Sequence, residues 1–207
     1  MTRISRYGDT GQAFPIYITV VGGLLFLAFA YFAVGQAAAN RNGAQTAADA
    51  AALAAAQDRR EQLADAWVKD LLDPAKWQRI FDGNAEGLGP SCWRAQQLAA
   101  QNDAQVTGQG CVPDGPLSFT VEVETNKSVG ESIVPGTEKQ KSNATATAVI
   151  EPLCTFDLPD DGSDEKLPAL TCDEDKKWDL DADDPALIPK PEDLFDVHLA
   201  EPQANDE

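Results

Sequence analysis

Between Thr10 and Asn40 the chain carries no charged residue, and from Phe14 to Gly35 it reads FPIYITVVGGLLFLAFAYFAVG. About 20 apolar residues at a rise of 1.5 Å each suffice to cross the roughly 30 Å hydrocarbon core of a bilayer. A single transmembrane span over 14–35 is therefore predicted, with the lipid bilayer as its first partner. The segment that follows, QAAANRNGAQTAADAAALAAAQDRREQLADAWVKDLL, holds no proline. Residues 44–56 are nearly all alanine, the best helix former, with Asp49 and Leu53 among them. The helix should leave the membrane and run on over 36–72.

Small residues recur at every fourth position through Gly35, Ala39, Gly43, Ala47, Ala51 and Ala55. A side chain of one methyl or none lets helix backbones approach closely, so this row predicts a packing seam against other helices, a second copy of the chain included. In so alanine-rich a stretch a four-residue period also arises by chance.

With 207 residues the chain has room for one modest domain beside an anchor, which excludes a large enzyme core. The net charge of −18 is unevenly spread. Residues 40–152 hold ten basic against 15 acidic residues, and residues 153–207 hold four against 18. Such a balance repels phosphate backbones, so no nucleic-acid partner is expected. The acidic end should stay solvated.

Arg3 and Arg6 outweigh Asp9 ahead of the span. Positive charge at the first flank keeps that end cytoplasmic, which places residues 1–13 inside and everything from about Asn40 outside. The competing reading is a cleaved signal peptide, because Ala37 and Ala39 satisfy an A-x-A site before Asn40. An ordinary h-region has about 7 to 15 apolar residues, fewer than this segment, so a retained anchor is favoured.

All four cysteines, Cys92, Cys111, Cys154 and Cys172, follow the span. Outside the cytosol an even count favours disulfides. Three pairings satisfy four cysteines; closeness in sequence favours Cys92 with Cys111 and Cys154 with Cys172. Zinc is disfavoured, since no pair has CxxC spacing and the sole histidine, His198, lies in the acidic tail.

Downstream, a small α+β extracytoplasmic head is expected over 73–156. Leu63, Trp67 and Leu71 give the end of the long helix an apolar stripe for docking on it. Asp73 and Pro74 read as the cap and first residue of a short helix, whose apolar face is Trp77, Ile80 and Phe81. Ser91 is expected to cap a helix from Cys92 to about Asn102. Residues 104–113 read as a short strand or irregular edge. From Leu117 to Thr125, Leu117, Phe119, Val121 and Val123 alternate with polar residues, the pattern of a half-buried strand. Residues 126–143 form a polar connection. Ala144 to Pro152 is the second good strand, and its alternating alanines would admit a helix close to the sheet. From about residue 157 low hydrophobicity and high charge predict a largely disordered tail over 157–207, apart from a Cys154 to Cys172 loop. Trp178, Leu187, Ile188, Leu194 and Phe195 are isolated apolar residues there that would tether it locally or touch a partner.

No catalytic constellation is present: GxSxG, Walker A, HExxH and GxGxxG are all missing. Asp179, Asp181 and Asp183 begin like a calcium loop, but Asp184 and Lys190 stand where its turn glycine and closing glutamate belong, so a solvated acidic run is the simpler reading. No enzyme activity, cofactor or metal is expected.

The segment GQAFPIYITVVGGLLFLAFAYFAVGQAAANRNGAQTAADAAALAAA resembles the N-terminal region of TadE/TadG-like pseudopilins of the tight adherence (Flp) pilus system. Its most specific part is TAADAAALAAA at residues 46–56, with Asp49 as the acid inside the alanine run. The resemblance implies a pilin-like fold, with a long helix in the membrane carrying a small helix-plus-antiparallel-sheet head. It also implies a minor pilin-like subunit or assembly factor that meets other pilus-assembly proteins through that helix. A class III prepilin site has Glu at the fifth position after its glycine, and Gly11 is followed by no Glu through Ile16. The rival reading is a single-pass anchored extracellular binding or cell-envelope protein with no filament role.

Overall fold

In the computed structural model, residues 13–128, 139–158, 167–173, 176–182 and 184–201 are described. The predicted cytoplasmic segment, apart from residue 13, lies outside them, as do most of the connection between the two good strands and residues 202–207.

Helix α1 spans Ala13–Lys69, 57 residues without interruption. The apolar and the alanine-rich segments thus form one helix. It ends three residues short of the expected 72, because the chain turns at Asp70 to Leu72. There the Asp70 carbonyl accepts a hydrogen bond from Trp77 Nε1 at 3.1 Å. After a single 3₁₀ turn come α2 (Trp77–Phe81) and α3 (Cys92–Gln101).

The main sheet is antiparallel, in the order β1 (Ala104–Pro113), β2 (Ser118–Thr125), β3 (Asn143–Pro152) and β7 (Phe195–Leu199). Three two-residue strands, β4 (Thr155–Phe156), β5 (Leu170–Thr171) and β6 (Lys177–Trp178), form a separate ribbon. A single turn, α4 (Pro191–Leu194), leads into β7.

The alternation in β2 sorts as its sequence demands, with Phe119, Val121, Val123 and Thr125 buried and Glu122 exposed. In β3, Ala146, Ala148 and Ile150 turn inward, and the alanine-rich half of α1 lies across them. Methyl side chains on both partners permit this close approach. Helix α3 packs beside α1 and reaches β1. Ala54, Ala55 and Ala56 are all buried, so the head covers more than half of the helix circumference there, and Gln57 marks the side left open.

Strand β1 is interrupted by a bulge between Val106 and Cys111. Gly110 takes φ 74° in it, and a Cβ there would come within 2.8 Å of Val106 Cγ1, so only glycine fits.

Neither expected cap forms a side-chain cap bond. The Ser91 hydroxyl instead accepts from Gln62 Nε2 at 3.2 Å, and the Asp73 carboxylate faces the Lys76 ammonium at 3.4 Å.

The expected disorder from about residue 157 does not hold for Pro191–Leu199. β7 pairs with β3 from Ala148↔Leu199 to Pro152↔Phe195, and Leu194 and Phe195 are fully buried. Two of the isolated apolar residues do tether the segment, and they do so in the main core. The apolar area they bury offsets the ordering cost that the composition around them cannot.

Candidate interaction surface along the long helix

Two environments meet on α1. From Phe14 to Val34 its large side chains apart from Val21, among them Leu24, Phe26, Phe29 and Tyr31, are more than half exposed, and no element among the described residues covers them. This is the one helix among the described residues that is long and apolar enough to cross a membrane. From Ala44 onward the same helix is sheathed by sheet and α3.

The predicted packing row is divided between these environments. Ala47, Ala51 and Ala55 are fully buried in the chain's own core. Gly35, Ala39 and Gly43 are exposed, and a Cβ on Gly35 or Gly43 would meet nothing within 4 Å. Of this row, a second helix therefore finds only Gly35, Ala39 and Gly43. Asp49 is half-buried and accepts a hydrogen bond from Gln45 Nε2 at 2.7 Å, one turn away.

Several contacts fasten the head to the helix. Gln62 donates to Asp58 Oδ2 at 2.7 Å, and its Oε1 accepts the Gly89 N–H at 2.7 Å. The Arg59 guanidinium donates to the Gly89 carbonyl at 3.3 Å and lies 5.5 Å above the Phe119 ring. Burial lowers its pKa, against the raising effect of Asp58 beside it. At the helix end, Trp67 stacks on Trp77 at 5.4 Å, Trp77 meets Phe156 at 5.3 Å, and Phe81 links Phe156 to Phe195 at 5.8 and 5.3 Å. This aromatic chain carries the core from α1 through α2 into β4 and β7.

Two disulfides close the head. Cys92–Cys111 joins the start of α3 to β1, and Cys154–Cys172 joins the residue before β4 to the residue after β5. Asp193, at the turn before β7, accepts from the Lys176 ammonium at 3.0 Å and from the Lys190 N–H at 3.1 Å. Burial pushes its carboxyl up, but these bonds and charges outweigh that and hold it below the usual range.

At the head's other end the Asn40 amide donates to the Lys127 carbonyl at 3.2 Å. The buried Thr125 hydroxyl sits 2.8 Å from that same carbonyl and 3.2 Å from Asn40 Oδ1. No sequence pattern marks this clamp, whose partners are 87 residues apart.

Residues 11–58 match the model of the Tad family, described as Flp pilus-assembly TadE/G-like. Over that region this chain is TadE/G-like. The matched stretch begins before the bare apolar half of α1 and runs through the sheathed alanines. It spans the passage from one environment to the other and associates the chain with Tad pilus assembly. No curated protein and no solved structure matches the chain.

Among the described residues no three His, Cys, Asp or Glu side chains gather as a metal cage. Asp183, third in the D-x-D-x-D run, lies outside the described residues, and His198 faces Asp196 across 3.0 Å on the exposed side of β7.

Proposed function

We propose that this TadE/G-like chain is a single-pass, pseudopilin-like structural component of Tad (Flp) pilus or related secretion-apparatus assembly. Its N-terminus is cytoplasmic and its head extracytoplasmic. The role is structural rather than enzymatic: the span anchors, the exposed part of α1 up to Gly43 meets other helices, and the stapled head offers a surface to assembly proteins.

The observation that carries this reading is the single helix that is bare and apolar over 14–34 and packed by one face into the head from residue 44. Water tolerates such a bare stretch poorly, because a contiguous apolar surface of that size marks a membrane or a partner. Two disulfides beyond the span support an oxidising compartment for the head, as does the excess of arginine before the span.

Fractionation of the producing cells tests it. The chain should stay with membranes through alkaline extraction, and after mild reduction an impermeant thiol reagent should label the head cysteines in spheroplasts. A soluble chain trimmed near Asn40, or labelling only after lysis, would overturn the anchored N-in arrangement. A second reading, an anchored cell-envelope protein with no filament role, is favoured by the burial of Ala47, Ala51 and Ala55 in the chain's own head. Helix-to-helix crosslinks at 30–43 in assembling cells would rule it out.

A further inference from the structure

Arg41 is the first charged residue after the span, six residues past Gly35. That spacing sets it about 9 Å farther along the helix axis. The headgroup layer extends about 5 to 7 Å beyond the hydrocarbon on each side, and an arginine stem bends back by several ångströms, so Arg41 reaches the level of the lipid phosphates.

The clamp at Asn40 fixes a second segment at the same height. By holding the Lys127 carbonyl it presses the base of the β2–β3 connection against α1, and that base carries Lys127, Lys139 and Lys141. Lys127 pairs with Asp103 at 3.1 Å and Lys141 with Glu124 at 2.9 Å. Among the described residues Arg41 and Lys139 form no ion pair. A cleft of about 440 Å³ beside Arg41 is lined also by Asn42, Gln45 and Asn143. A second, of about 290 Å³, is lined by Lys139, Gln140, Lys141 and the Glu124 carboxylate that Lys141 neutralises, and the two share Asn143. In a chain of net charge −18, two cations without an ion pair among the described residues and a set of amide donors thus lie at the end of the head nearest the apolar half of α1.

We propose that this end of the head is a docking surface for anionic phospholipid headgroups, with Arg41 and Lys139 facing lipid phosphates and the Asn42 and Asn143 amides as neutral donors. The inference rests on the anchored reading above. It makes the head lie against the bilayer rather than stand clear of it. Each cation near an anionic surface contributes about fivefold, so the pair shifts the docking equilibrium about 30-fold.

Hydrogen exchange on the full chain in nanodiscs tests this, comparing phosphatidylcholine alone with phosphatidylcholine plus phosphatidylglycerol. Amides of residues 126–128 and 139–142 should exchange several-fold more slowly with phosphatidylglycerol, and the R41Q/K139Q double variant should lose that difference while its β2–β3 ladder stays protected. Equal exchange in both lipids, with residues 14–35 protected in both, would overturn the docking surface and leave the anchor standing. Free exchange over 14–35 would overturn both. Equal slowing by inorganic phosphate added to phosphatidylcholine discs would overturn the lipid source in favour of a free anion.

Discussion

Ala51 and Ala39 belong to one row of small residues, yet a larger side chain would act differently at each. Ala51 is fully buried in the core. Ala51→Leu forces extra methylenes into a packed interior and should destabilise the head by about 1 to 3 kcal/mol, read as a lower melting temperature in detergent. Ala39→Leu, at an exposed position, should leave that melting temperature within the noise of a surface change, about 0.5 kcal/mol. The row was legible as a period, but not as divided, because nothing in the spacing says which face the head will cover. Asp193 supplies a pH dependence. Its carboxyl is held below the ordinary value of 3.8, so the folded state binds its proton less readily than the unfolded one. Its stabilising contribution is complete above that ordinary value and is lost as pH falls through the lower folded one. Asp193→Asn should therefore flatten the acid limb of the melting curve below about pH 4 relative to the parent; parallel limbs would dismiss the linkage.

At the level of elements, the long helix, the two good strands and α3 follow from residue patterns that match the period of each structure. β7 does not stand out in the same way. Phe195, Val197 and Leu199 alternate with Asp196 and His198, which is a strand pattern, but it covers five residues inside a long acidic segment whose average composition reads as unfolded. A compositional argument sums over the whole segment, whereas burial is decided by the few side chains that reach the core. Phe195→Ala should cost about 3 to 5 kcal/mol, as measured by chemical denaturation, because a fully buried ring in an aromatic chain is removed. A change below about 0.5 kcal/mol would mean that the segment is the solvated tail its composition suggests. The caps were misread for a related reason. Ser91 has the right side chain in the right place, but Gln62, 29 residues earlier in the chain, takes its hydroxyl.

For the molecule as a whole, charge and greasiness are sorted along one axis. The uncharged run over 11–39 comes early in the chain, Arg41 stands just past it, and most of the acid lies toward the C-terminus. The family match covers only the part of the chain in which the first two of these occur. The rest of the head matches no curated protein or solved structure, and its placement is argued from its own packing. One property of α1 reaches beyond packing. Its one proline, Pro15, lies in the first turn and no irregular turn interrupts its 57 residues, so on the anchored reading the head is carried on a stiff mast rather than a tether. From Gly35 to Lys69 this mast is about 51 Å long, and a change of about 10° in membrane tilt, well within the usual range for single spans, would swing its far end by about 9 Å. A thinning bilayer or a neighbouring helix that leans on the bare half would thus steer the outer surface, and a pull on the head would pass along the same helix to the span.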